Sequence, residues 1–236
     1  MKNIYLKALW VLSLIVFANT CKAQIKANQF NSWWYYSGTY QFNERFSTNL
    51  LYAWSRHDFV KEWQISKLGL SGNYNLSKNF GVGLSYEWAI IFPYGELPVP
   101  EKRVEHRFLE RFYFRDKVGK FSIGSTIEME QFFRNGEFLQ RARLRAGFRF
   151  PLLRNDESRQ LLGMSFFELI FIAMGGGQEA TLTQNRIYGG FDIALSKNLT
   201  LGLGYLNQYI IIRPEIIEND HTLLVGLFHR ISFKKD

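Results

Sequence analysis

Residues 138–151, FLQRARLRAGFRFP, place Arg141, Arg143, Arg145 and Arg149 on odd positions, with Ala142, Leu144, Ala146, Phe148 and Phe150 on the even positions between them. A period of two belongs to a β-strand, whose successive side chains point to opposite faces. One face of this strand is therefore basic and the other apolar. The fold has to supply a separate environment for each.

The same alternation runs through most of the chain. In 80–92, FGVGLSYEWAIIF, the even positions hold Phe80, Val82, Leu84, Tyr86, Trp88, Ile90 and Phe92, and the odd ones Gly81, Gly83, Ser85, Glu87 and Ala89. Eleven such segments are readable, near 32–42, 46–56, 63–76, 80–92, 103–115, 121–134, 138–150, 160–173, 184–195, 199–212 and 221–233. Most have ten to fourteen residues, whereas strands of soluble proteins usually have about five or six. A tilted strand that crosses a bilayer needs about 9–11.

Connections and aromatic residues point the same way. Short polar turns (43–45, 77–79, 116–120, 196–198) alternate with longer connections such as 93–102, PYGELPVPEK, and 174–183, MGGGQEATLT. Short turns at one end and long loops at the other are the habit of outer-membrane barrels. Trp33 to Tyr36, Trp54, Trp88 with Phe92 and Tyr94, and Phe148 with Phe150 cluster near segment ends, where interfacial girdles would place them. LSKNFGVGLSY (76–86) and LSKNLTLGLGY (195–205) share seven of eleven residues, so one hairpin unit is used twice. The fold expected is all-β: an antiparallel up-and-down transmembrane β-barrel of about 12 strands, 11 of them readable. Bacterial single-chain barrels usually have an even number. Residues 24–31, QIKANQFN, are left either as a short twelfth strand or as a segment through the lumen.

The N-terminus reads as an export signal. Lys2 and Lys7 precede an apolar run from Ala8 to Ala18, and Cys21-Lys22-Ala23 ends it with small residues. The domains expected are a signal peptide, 1–23, and a barrel, 24–236. Cleavage after Ala23 would remove three lysines and no acids, lowering the formal charge from +8 to +5, together with Cys21, the single cysteine. Thiolate chemistry and disulfides are then excluded from the mature chain.

Charge follows the polar faces of three consecutive strands. Arg103, Glu105, Arg107, Arg111 and Arg115 share one face of 103–115, Glu128 and Glu130 one face of 121–134, and the four arginines one face of 138–150. A tight connection at 135–136 sets Glu130 opposite Arg141 and Glu128 opposite Arg143; a turn over 116–120 brings Arg107 beside both glutamates. With Glu87, Glu168, Asp192, Arg186 and Arg230 joining them, at least ten arginines and six acids are expected in the lumen. Arginine on the lipid side would cost about 2–4 kcal/mol at midplane. The candidate lumen network is Arg103, Glu105, Arg107, Arg111, Glu128, Glu130, Arg141, Arg143, Arg145, Arg149, Glu168 and Arg186.

Other chemistry is sparse. His57, His106, His221 and His229 lack metal-ligand spacing, and there is no HExxH, no G-x-S-x-G and no phosphate-loop lysine after MGGGQ. Arginines on a long alternating strand of an exported chain do not read as a nucleic-acid site. His106 and Glu110 fall on the expected lipid face near Gln131 and Ser125. Four strand residues separate them by about 13 Å, too far for a catalytic contact.

Several short motifs resemble a family of uncharacterised bacterial outer-membrane proteins, the unknown-function domain numbered 2490. They are Trp34 before YQFNERF, Arg56 at the close of the second strand, EHRFLERF, RARLRAGFRF, Glu168 within FFELIF, and NRIYGGFDIALSKNLTLGLGYL. The resemblance implies an outer-membrane barrel and carries no catalytic residues or substrate. The expected role is a non-enzymatic, porin-like or structural barrel of a Gram-negative cell, monomeric, without cofactor or metal. Its partners would be outer-membrane lipid, the barrel-assembly machinery during insertion, and small anionic solutes at the basic lumen. The alternatives are a lipid-modifying enzyme around His106 and a soluble periplasmic barrel that binds a small anion.

Overall fold

The computed structural model describes residues 25–27, 29–92, 101–134, 136–155, 160–174, 180–213 and 216–233. The expected signal peptide, 1–23, lies outside them, as does most of the long connections at 93–102 and 174–183. The strands are β1 (Ile25–Ala27), β2 (Phe30–Gln41), β3 (Phe46–His57), β4 (Glu62–Asn75), β5 (Phe80–Ile91), β6 (Arg103–Val118), β7 (Phe121–Arg134), β8 (Glu137–Arg154), β9 (Gln160–Met174), β10 (Thr181–Ala194), β11 (Leu199–Arg213) and β12 (Ile216–Ser232).

From β2 to β12 each strand pairs antiparallel with its sequence neighbour, and β12 then pairs with β2 to close the sheet. That last ladder is parallel, with Phe30–Gln41 against His221–Ser232. β1 also runs parallel to β12, at Ile217 and Glu218, on the line that β2 continues. The barrel therefore has eleven staves, and β1 is no twelfth crossing. An odd run of alternating strands leaves the first and last pointing the same way. Closure then needs only the slanted bonds of a parallel pair, which are slightly weaker per residue, and the expected even count is not required.

The two ends are built differently. Turns 42–45, 76–79, 119–120 and 195–198 lie at one end with the last strand's exit; we call this the turn end. The repeated LSKN segment makes the same structure twice. Ser77 Oγ accepts from Asn79 N and Phe80 N, and Ser196 Oγ from Asn198 N. The Asn79 and Asn198 carbonyls then accept the backbone N–H of Arg115 and Arg230 on the adjoining strands, both at 2.8 Å. At the other end, the loop end, connections are not uniformly long: β7 and β8 are joined by two residues, with Gly136 at φ +84°. Between β3 and β4, Asp58 and Phe59 take φ of +45° and +66°, costly for side-chain-bearing residues. Arg56 secures that turn through the Val60 and Lys61 carbonyls and covers the Trp63 ring at 4.6 Å.

The wall has the reverse of a soluble protein's sidedness. Along β5 the apolar Phe80, Val82, Leu84, Tyr86 and Trp88 are exposed, and Gly81, Gly83, Glu87 and Ala89 are buried. Leu84 is 69% exposed. Exposed rings gather at both ends: Phe42 stacks with Phe46 and Phe233 at the turn end, and Phe133 packs at a tilt against Phe138 at the loop end. Exposed aliphatic side chains such as Leu70, Leu84, Ile127 and Leu203 lie between.

Inside, tyrosine rings take the space that a side chain on inward-facing glycines would need: Tyr113 at Gly81, Tyr188 at Gly190 and Gly204, and Tyr35 at Gly226. A methyl group on Gly190 would also sit 2.7 Å from the Leu203 carbonyl oxygen, which belongs to the sheet and cannot move aside. Gly190→Ala should therefore lower stability by about 1–3 kcal/mol, the range for overpacking, read as a lower denaturant midpoint of the folded barrel.

Candidate functional site

The interior of β4–β8 is a ladder of acids, nearly all of them shared. Glu105 and Glu130 have no exposed surface, and Glu128 and Glu87 are buried. Glu105 takes Arg107 and Arg134, each at 2.5 Å. Glu130 pairs with Arg141, its direct neighbour across β7 and β8, and with Arg107 at 3.5 Å. Glu128 lies between Arg111, at 2.5 Å, and Arg143, at 3.2 Å. Lys67 reaches Glu87 at 3.1 Å. Each glutamate of β7 thus touches an arginine on both neighbouring strands.

One partner differs from expectation. Hairpin counting placed Arg107 beside Glu128, but β6 and β7 run on to Val118 and Phe121 and turn only at Gly119-Lys120, with Gly119 at φ +62°. The longer hairpin shifts the register, so that Arg111 faces Glu128 and Arg107 faces Phe132.

Aromatic rings on the other strands complete the ladder. Phe171, essentially unexposed, lies beneath three guanidinium groups: Arg186 at 4.5 Å, Arg141 at 4.8 Å and Arg143 at 5.4 Å. Arg186 also covers Trp33 at 4.8 Å and donates to Gln184. Arg145 stacks on Phe167 at 4.0 Å. A desolvated cation over an aromatic face gains about 2 kcal/mol. Arg149 pairs with Asp192 at 3.0 Å nearer the turn end, and Arg103 stands inside at the loop-end start of β6, half-buried.

Glu168 is the correction among the expected lumen residues. On β9 the buried set is odd-numbered, including Ser165, Leu169 and Phe171, and Glu168 belongs to the outward set with Phe166 and Ile170. Its carboxylate accepts a 2.7 Å hydrogen bond from Asn185 Nδ2 on β10. Both faces of FFELIF are apolar, so its own pattern does not orient it. The neighbour does: β8 turns Arg141 and Arg143 inward opposite Ala173 and Phe171, and the arginines take the rings. The outer wall repeats this device at Glu110, which Gln131 Nε2 approaches at 3.5 Å. His106 is exposed on the same wall, with Nδ1 2.7 Å from the Tyr86 hydroxyl.

Lys67, Arg134, Trp33, Phe132, Phe167 and Phe171 belong to the interior and were not among the expected residues. The signal available for the rings was that a strand paired with an arginine-bearing face must present its own inward set to those arginines.

The fold and its interior define the class: a closed eleven-stranded β-barrel with an exposed apolar wall and a charged lumen. Residues 30–214 match the model of a family described as protein of unknown function, DUF2490, and the chain belongs to that family. No curated protein and no solved structure matches it.

Proposed function

We propose that the chain is an integral outer-membrane β-barrel of a Gram-negative cell, non-enzymatic and structural, whose lumen is bolted shut by the arginine–glutamate ladder. Residues 1–23 direct export, the barrel-assembly machinery inserts the chain, and the wall contacts lipid as a monomer. The observation that carries this reading is the exposed apolar belt between two aromatic girdles, around an interior where Glu105 and Glu130 are wholly buried. In water such a belt would drive association, since soluble monomers rarely expose large contiguous apolar patches. The non-enzymatic part is supported by the outer wall's pairing, in which His106 engages Tyr86 while Glu110 engages Gln131.

The expected result is recovery in the outer-membrane fraction as a heat-modifiable band, and no conductance above background in planar bilayers. Recovery as a soluble periplasmic protein overturns the membrane assignment. Stable single-channel steps overturn the sealed lumen and favour a porin-like role.

A further inference from the structure

The two halves of the lumen are filled differently. In the loop half the inward residues are large and almost unexposed, among them Leu109, Phe171, Leu206 and Gln208 beside Glu105 and Glu130. In the turn half the inward set mixes rings laid over glycines, as Tyr113 over Gly81, with small uncovered positions such as Gly124 and Thr126 on β7. Arginines stand among them. Arg115, Arg145, Arg149 and Arg230 are exposed, although all four project inside the closed sheet. The ladder therefore forms the floor of the turn half, into which these four exposed arginines project.

This half carries unbalanced charge. Arg149 has Asp192, but Arg115, Arg145 and Arg230 have no carboxylate partner among the described residues. Arg145 and Arg149 share the inward face of β8, with Gly147 between them. The guanidinium carbons of Arg145 and Arg115 lie over the Phe167 and Tyr113 rings, at 4.0 and 4.4 Å. The ring contact restrains each guanidinium and leaves its N–H edge for an acceptor. Like charges inside a low-dielectric wall focus potential. A partner that bridges several forks needs more than one negative charge and several acceptor oxygens, as phosphate does.

We propose that the turn half of the lumen is a binding cup for a water-soluble, phosphate-bearing anion with at least two negative charges, which enters and leaves only through the turn end. The closed sheet shuts the cup off from the bilayer, so the ligand arrives from water and is not a lipid headgroup. The one-sided entry rests on the sealed lumen proposed above.

The test is calorimetric titration of the full-length, detergent-folded barrel with pyrophosphate at low salt, for wild type, Arg145→Gln, Arg145→Lys and Arg230→Gln. Arg230→Gln removes no carboxylate or ring contact among the described residues and should keep the wild-type denaturant midpoint, whereas Arg145→Gln gives up its contact with Phe167 and should lower the midpoint, which Arg145→Lys restores in part. Expected are saturable binding that weakens with salt, a loss of about tenfold in each glutamine variant, and a smaller loss in Arg145→Lys, which keeps the charge but not the fork. Tricarballylate should bind more weakly than pyrophosphate. No saturable heat with wild type, an affinity unchanged by Arg145→Gln, or equal binding of tricarballylate overturns the proposal. Failure of binding with zero conductance sinks the cup and leaves the sealed barrel standing. Conductance in wild type instead overturns the one-sided entry.

Discussion

Glu130→Ala should destabilise the barrel by about 3–5 kcal/mol, the cost of leaving a buried charge without its partner. Glu130 has no exposed surface and holds both Arg141 and Arg107. Arg141 cannot turn to water when the carboxylate goes, because its guanidinium stands 5.3 Å from the Phe132 ring and 4.8 Å from Phe171. Arg107 would keep only Glu105, which Arg134 already shares. Two cations would then face each other across an apolar gap. The measurement is the denaturant midpoint in detergent, with the slope checked so that the change is one of stability and not of compactness. A useful contrast is Lys61→Ala, which removes an exposed rim pair with Asp58 and should change stability by less than about 1 kcal/mol. If Glu130→Ala also stays within about 1 kcal/mol, the ladder is solvated and is not what closes the lumen.

Leu84→Arg should cost about 2–4 kcal/mol in a bilayer. Leu84 lies near the middle of β5 and is the most exposed large apolar side chain of that strand. It neighbours Gly72 and Glu110 across the sheet. In lipid, the guanidinium at that depth has to thin the bilayer or draw water to itself. A barrel bathed in water would pay nothing for the same change, since the site is already open. Folding titrations into vesicles and into aqueous buffer therefore separate the two environments. Stability unchanged in vesicles would place the belt in water. The loss should be smaller for Phe133→Arg at the loop-end girdle, because the cost falls to about 0–1 kcal/mol near the interfaces.

How far the molecule could be read from its residues differs from strand to strand. Arg141 with Glu130 and Arg143 with Glu128 followed from counting back from 135–136, because a two-residue connection allows one register. The count across β6 and β7 slipped because the charged Asp116 and Lys117 looked like part of a turn, while the chain stays extended up to Val118 and turns at Gly119. Glu168 was misplaced because a strand apolar on both faces carries no sign of its own; only pairing with β8 orients it. Lys67 and Arg134 escaped notice because each is a single charge near a strand end or in a mixed run.

What the residues determined alone is local: strand length, the two-residue period, and the sorting of arginine from phenylalanine onto opposite faces. These depend on neighbours within a few positions, where backbone geometry leaves little choice. The tertiary structure alone decided three things: the parallel closure of β2 on β12, the facing of β9, and which inward arginines meet a carboxylate and which do not. Each of these depends on which strand lies alongside, and β2 meets β12 across about 190 residues of chain. No local pattern encodes such a meeting. It is settled when the sheet closes and buries its charges against one another.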